Sequence, residues 1–313
     1  MTIEETTMNR DDDKQLPFEI HIPDVIAHRG FSAKNPENTL ISYKNAIEAG
    51  TSALEGDIRL SKDKEIVMMH DLTLNRTTTG TGAVHDQDWY GYIDKLTTKT
   101  NPPQPIPRLN DVLDLLLTTT NDKLYMIVDI KYDNPIEILN VLSNLLNEDY
   151  VKEYPQLTHQ LIIGIWSLEF LERAKILFPQ FKLCFIGLSI SAARTHFIES
   201  VDCLSLPFAA LANEDGQLFI KEAHTRKKKV FSWTINDPDQ MKTCVLWKID
   251  GIIGDNVTTL IENVQRIPKS IVSLDDYQVF INTDHFLISK RRRLYYYILA
   301  KIMQFVSWKI IGV

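Results

Sequence analysis

The sequence predicts an α/β protein built as a (β/α)8 TIM barrel. Three observations lead there. Between Val25 and about Pro268, short apolar runs alternate with stretches of helical periodicity, and eight of the runs read as strands. That span is close to the ~250 residues such a barrel takes. Polar and aromatic residues (His28, Asp57, Lys131 and Trp233) fall at or near the C-terminal ends of several runs. An open doubly wound sheet gives a similar alternation, but a barrel brings many strand ends together on one face.

The predicted strands are Val25–His28, Ala53–Leu60, Leu124–Lys131, Leu161–Trp166, Lys182–Gly187, Val201–Ser205, Val230–Thr234 and Gly251–Gly254. A further strand, Glu65–Met69, is expected to pair with the second as a hairpin around Ser61–Lys64. Helices are expected over Asn38–Ala49, Leu109–Leu117, Ile136–Asn147, Leu168–Phe178, Ile190–Glu199, Gln217–Arg226, Pro238–Leu246 and Asn256–Val264. The first has a good start and stop: Pro36-Glu37-Asn38 precedes it and Gly50 follows. Leu72–Pro107 is long for a loop and Pro-rich at its end, which suggests an excursion over the active face.

Composition narrows the class. The net charge of −7 argues against a nucleic-acid-binding surface. The charge is uneven: His285–Val313 holds six Lys or Arg and no Asp or Glu, so the remainder is more acidic than the whole. Cys184, Cys203 and Cys244 lie in apolar stretches with no zinc-like spacing, which reads as buried, reduced thiols. Residues 1–24 are acidic and polar, are expected to be disordered, and show no secretory pattern, pointing to a cytosol-facing protein. The expected organisation is this leader, a barrel over 25–268, a linker over 269–289 and a basic hydrophobic tail over 290–313.

The chemistry concentrates in two blocks, Val25–Thr39 and Ala53–Asp71. Glu55 and Asp57 are two apart in a strand, so their carboxylates share a face. Two like charges in an apolar interior are costly unless compensated, and a divalent cation is the simplest compensation; a structural charge cluster is the alternative. Oxygen ligands favour Mg²⁺ or Ca²⁺. Asp129 and Lys131 repeat the spacing, which reads equally as an ion pair at a strand end. His28 is followed by Arg29, suited to gripping a phosphate, and by Gly30, which allows close backbone approach. His70 ends the next strand. Two histidines beside a cation site can remove one proton and donate another.

These blocks resemble the glycerophosphodiester phosphodiesterase family. The matching segments are I-A-H-R-G, P-E-N-T, L-E-G-D-I, M-H-D-L-T-L-N-R-T-T-T-G-T-G and V-D-I-K, with W-T-I-N (Trp233–Asn236) and D-G-I-I-G-D (Asp250–Asp255) late in the chain. The resemblance covers roughly Val25–Val264 and implies the family's TIM barrel. It implies His28 and His70 as the acid–base pair, with His28 read as base and His70 as acid. It implies Glu55 and Asp57 as metal ligands and Asp129 as a third, at a place where many members have Glu. Arg29 and Lys131 match positions that neutralise phosphate charge, and Glu37 lies in P-E-N-T as a support residue. Trp233 is a wall beside the substrate or a core tryptophan. The implied reaction is phosphodiester cleavage beside a glycerol, through a cyclic phosphate later opened by water.

The last segment, K-R-R-R-L-Y-Y-Y-I-L-A-K-I-M-Q-F-V-S-W-K-I-I-G-V, contains 20 residues from Leu294 to Val313. Lys301, Gln304 and Lys309 interrupt it, so it reads as a monotopic anchor with aromatic and basic interfacial residues, or else as a helix packed on the barrel. An anchor implies a phospholipid substrate and a membrane surface as partner, at the endoplasmic reticulum, a lipid droplet or the mitochondrial outer surface. With Asp in V-D-I-K, the chain is similar to the fungal phosphatidylglycerol-specific phospholipase C subgroup, which releases diacylglycerol and glycerol phosphate. Cleavage of soluble glycerophosphodiesters and a non-enzymatic lipid-binding barrel are the other readings.

Overall fold

The structure, a computed structural model, describes residues 21–269, 279 and 290–311. The expected disordered leader up to residue 20 and most of the expected linker lie outside the described residues. The strands are β1 (Asp24–His28), β2 (Ala53–Leu60), β3 (Ile66–Met68), β4 (Tyr125–Ile130), β5 (Leu161–Ile165), β6 (Lys182–Ile186), β7 (Cys203–Pro207), β8 (Lys229–Trp233) and β9 (Gly251–Gly254). Eight run parallel in the order β1-β2-β4-β5-β6-β7-β8-β9, and β9 pairs back onto β1, closing the barrel. Only β3 is antiparallel, joined to β2 with Ile58 opposite Met68. Each strand therefore alternates between the barrel lumen and the helix layer.

The two faces bury different cores. Ile26, Ala53, Ile127, Ile162, Cys184, Cys203, Phe231 and Ile253 form the luminal cluster. The larger cluster joins the outer strand faces to the helices, through residues such as Leu54, Met126, Val128, Leu204 and Val230. All three cysteines are free and buried. Because both faces are buried, the strands lack a polar alternation; β2 is buried at every position. Toward the strand C-termini the lumen becomes polar again, as it is at the opposite end around Asp24, Tyr125 and Lys229.

The helices are α1 (Leu40–Glu48), α2 (Leu109–Leu117), α3 (Ile138–Asn144), α4 (Leu157–Gln160), α5 (Leu168–Leu177), α6 (Ile190–Ala192), α7 (Phe208–Leu211), α8 (Glu214–Thr225), α9 (Pro238–Leu246), α10 (Val257–Lys269) and α11 (Lys290–Ile311). α3 and α6 each continue into a wider π turn. α1 starts at Leu40, later than expected, because Asn38 is left-handed (φ 58°) and Thr39 caps the helix by accepting from Ser42 N–H. α8 starts earlier than expected: Asn213 caps it through Gly216 N–H, and Glu214 and Asp215 fill its first turn. The 72–107 excursion has its own small core of Leu74, Val84, Trp89, Ile93 and Ile106 against Val67 and Met69.

β1 leads into a tight turn in which Arg29 (φ 55°) and Gly30 (φ 80°) are both left-handed. A Cβ on Gly30 would lie 2.1 Å from Ser42 Oγ and 2.7 Å from the Ser42 carbonyl carbon. Gly30→Ala is therefore expected to cost about 2 kcal/mol through strain and overlap. Urea unfolding measures this; an unchanged midpoint contradicts the packing described.

Candidate active site

Register places the acids. Asp57 on β2 stands opposite Asp129 on β4, and Glu55 opposite His28 on β1. With luminal residues two apart along each strand, Glu55, Asp57, Asp129 and Lys131 all enter the C-terminal end of the lumen. The three carboxylates offer oxygens within 4.8 Å of one another, and all three residues are buried. His28, Arg29, Glu55, His70, Asp129, Lys131 and Trp233 line one cleft. Asp57 sits beneath it at 1% exposure.

Each acid is held separately. Glu55 Oε2 accepts from the Arg29 backbone N–H at 2.9 Å, which the left-handed turn aims inward. Asp57 Oδ2 accepts from Asn38 Nδ2 at 2.8 Å, and Asn38 Oδ1 in turn accepts from the Tyr43 hydroxyl at 2.7 Å. Arg29 Nε is 3.3 Å from Asp57 Oδ2. Lys131 Nζ lies 2.7 Å from Asp57 and 2.6 Å from Asp129. Asp129 Oδ1 accepts from Trp166 Nε1 at 2.7 Å, so the short aspartate arm is fixed from both sides.

This charge set is short of positive charge on one side. Burial and the neighbouring Asp57 carboxylate push Glu55 up to about 7. Burial opposes ionisation of Asp57, but Lys131 and Arg29 outweigh it and hold that carboxyl far below its ordinary value. Three hard oxygen donors in one buried cluster, one of them reluctant to ionise alone, fit a divalent cation. Glu55, Asp57 and Asp129 are the residues that can hold it.

Both histidines are tethered at Nδ1, which leaves Nε2 free on each ring. His28 Nδ1 lies 2.6 Å from Asp255 Oδ1, and Asp255 is fixed by Asn236 Nδ2 at 2.5 Å and Ser32 Oγ at 3.2 Å. His70 Nδ1 lies 2.8 Å from Asp71 Oδ1, and Arg59 holds the His70 carbonyl at 2.7 and 2.9 Å. Burial works to lower the pKa of His28, but the Asp255 hydrogen bond and the Glu55 and Asp57 charges keep it raised. For His70, burial prevails over the attraction of Asp57, with Lys131 and Arg29 adding to the lowering.

Glu37 stands outside the cleft and links two arginines. It accepts from Arg29 Nη1 at 3.0 Å and from Arg76 Nη1 and Nη2 at 2.9 and 2.7 Å, and Arg76 also clasps Asp71. Arg29 is thus tied to Glu37 and Asp57 together. Trp233 meets Trp166 edge-on at 6.1 Å, forming one aromatic side of the cleft. Sequence reasoning did not assign Asp255, Asn236, Arg59, Asp71, Arg76 or Trp166. The late motifs contained Asp255 and Asn236, and H-D contained Asp71.

Comparison with known proteins now decides the family. The model of the glycerophosphoryl diester phosphodiesterase family matches residues 28–259. The chain belongs to that family. It is 30% identical over 248 residues to the glycerophosphodiester phosphodiesterase of Caldanaerobacter subterraneus, covering 77% of this chain and 98% of the relative. Human glycerophosphodiester phosphodiesterase 1 is 33% identical over 146 residues, 44% of this chain and 41% of that one. A phosphodiesterase from Oleispira antarctica, solved in complex with sn-glycerol-3-phosphate, shares the fold with a TM-score of 0.67 at 23% identity, covering 78% of this chain and 97% of that one. As a member of the glycerophosphoryl diester phosphodiesterase family, the chain is a phosphoric diester hydrolase with a divalent-cation site.

The expectation of membrane attachment is corrected. Among the described residues, no helix is long and apolar enough to cross a membrane. α11 packs on the barrel instead: Tyr296 and Met303 join the outer core and Ile310 the luminal cluster. The Caldanaerobacter enzyme, matched nearly end to end, and the human relative are named glycerophosphodiester phosphodiesterases, and neither name marks a lipid-specific subgroup.

Two outcomes follow from this geometry. Ca²⁺ or Mg²⁺ is expected to bind at neutral pH and raise the thermal midpoint, with Glu55→Gln weakening binding at least ~10-fold; calorimetric titration showing equal affinity in the variant contradicts the assignment. Asp255→Asn is expected to lower the His28 pKa, since it removes the charge that holds it up. An imidazole NMR titration reads this, and an unmoved or raised value contradicts it.

Proposed function

We propose that the protein hydrolyses water-soluble glycerophosphodiesters to glycerol phosphate and an alcohol. The supporting observation is the convergence of two tethered histidines on a buried three-carboxylate cluster, in a chain whose matched relatives carry that activity in their names. Phosphatidylglycerol is the second reading. It shares the glycerol headgroup, but its support was the tail, and α11 is packed against the barrel.

In this account Arg29 and Lys131 face the phosphate with fixed positive charge. A divalent cation, Mg²⁺ or Ca²⁺, when bound by the three carboxylates, supplies further charge against the nonbridging oxygens. One histidine takes the proton of the attacking glycerol hydroxyl, and the other gives a proton to the departing alcohol oxygen; water then opens the resulting cyclic phosphate to glycerol phosphate, with the two histidines exchanging roles. The charge environments favour an order opposite to that expected from sequence. Burial, Lys131 and Arg29 lower the His70 pKa, which favours proton acceptance; the Asp255 hydrogen bond and the Glu55 and Asp57 charges raise that of His28, which favours donation. Trp166 and Trp233 shield one side of the cleft from water.

Purified protein with Mg²⁺ or Ca²⁺ is expected to cleave a glycerophosphodiester such as glycerophosphocholine, and to release less product from detergent-dispersed phosphatidylglycerol. His28→Ala and His70→Ala are each expected to lower kcat by ~100-fold or more, with the cation requirement unchanged. Turnover of phosphatidylglycerol alone contradicts the preferred substrate, and wild-type rates in both variants contradict the acid–base pair.

A further inference from the structure

α11 runs along the same rim of the barrel as the catalytic cleft. Arg292 lies 3.6 Å from Asp237, just beyond β8. The Tyr296 hydroxyl accepts from Gln240 Nε2 at 2.8 Å, and its ring meets Phe208, the first residue after β7, edge-on at 5.4 Å. Tyr297, Lys301 and Gln304 then face Leu188, Ser191 and Arg194, beyond β6, across an open cleft of about 330 Å³. The helix therefore crosses the C-terminal ends of β8, β7 and β6 in turn.

This second cleft adjoins the first. Ile186 at the end of β6 lines the catalytic cleft. Gly187 N–H still bonds Ser205 O at 3.1 Å, so strand geometry carries on to Leu188, which lines the second cleft. Two residues of extended chain separate them, roughly 7 Å. Leu188, Trp233 and Ile310 pack against the same luminal cluster and give the two clefts a shared apolar border.

The polar lining carries both signs, but only one of its charges is left without a partner of opposite sign among the described residues. Arg194 is neutralised by Asp215 at 2.9 Å and Glu222 at 2.7 Å. Lys301 lies over the Tyr297 ring at 5.7 Å, and among the described residues no carboxylate is within salt-bridge reach of it. Asn213 is spent on capping α8, whereas the Gln304 and Ser191 side chains form no hydrogen bond among the described residues. The cleft therefore offers an ammonium, an amide and a hydroxyl to whatever enters, without a free anion.

We propose that this cleft is the subsite for the alcohol half of the substrate, and that it selects polyhydroxy alcohols such as inositol over choline. Hydroxyl oxygens can accept from Lys301 and Gln304, whereas a quaternary ammonium can accept no hydrogen bond and meets a like charge. This rests on the glycerophosphodiester reading above. It gives the tail helix a place in substrate choice, as the outer wall of the active site.

The test compares kcat/KM for glycerophosphoinositol and glycerophosphocholine in the full chain and in Lys301→Glu. Lys301 is exposed, so the variant keeps the fold. The wild type is expected to favour the inositol diester, and the variant to shift the ratio toward the choline diester by about tenfold, mainly through KM. Turnover of both diesters with a ratio unchanged by the substitution overturns the subsite. Failure to cleave either diester in the presence of Mg²⁺ or Ca²⁺ overturns the function on which it rests as well.

Discussion

The rest of the site depends on one constraint: three carboxylates are held inside an apolar barrel. Isolated buried charges cost several kcal/mol each, so every group around Glu55, Asp57 and Asp129 is committed to offsetting them. Lys131 divides its ammonium between two of the acids, Arg29 reaches a third oxygen, and Asn38 and Trp166 donate neutral hydrogen bonds. Glu55 is left with a backbone N–H, and burial and the Asp57 charge push it up to about 7. The resulting deficit of positive charge beside Glu55 is one that a bound divalent cation would offset.

The same constraint shapes the loops. Arg29 and Asn38 both adopt left-handed backbone conformations, which are costly for residues with a Cβ. Each conformation delivers a donor to an acid: the Arg29 N–H to Glu55 and the Asn38 amide to Asp57. Glu37 then ties Arg29 to Arg76, and Arg76 to Asp71 behind His70. His70 thus belongs to one continuous network that begins at the buried acids, while His28 is held by a separate group of Asp255, Asn236 and Ser32. Below this polar layer the lumen is filled by Ile26, Ala53, Ile127 and Phe231, which gives the site a rigid floor.

Much of this was legible in the chain because it is local. Glu55 and Asp57 reveal their shared face through a spacing of two, and the bounds of β2, α2, α9 and β9 are those expected from periodicity. What escaped was long-range. Asp255 meets His28 across 227 residues, and Asn236 reaches Asp255 from the neighbouring strand end; the late motifs hold both residues, but their pairing leaves no local signature. Trp166 read as the end of a strand, yet its indole fixes Asp129. The tail was misread for another reason. Aromatic and aliphatic residues between lysines suit a lipid interface and a protein surface equally well, and Tyr296 against Phe208 shows the second use.

The central claim is that the buried acids form a single cation site. A crystal structure of the protein soaked in Mn²⁺, with anomalous data collected at the manganese edge, tests it most directly. The account expects one strong peak bonded to oxygens of Glu55, Asp57 and Asp129 at about 2.1–2.4 Å, with Lys131 turned away from the cluster. Full wild-type turnover with no peak between these carboxylates would contradict it.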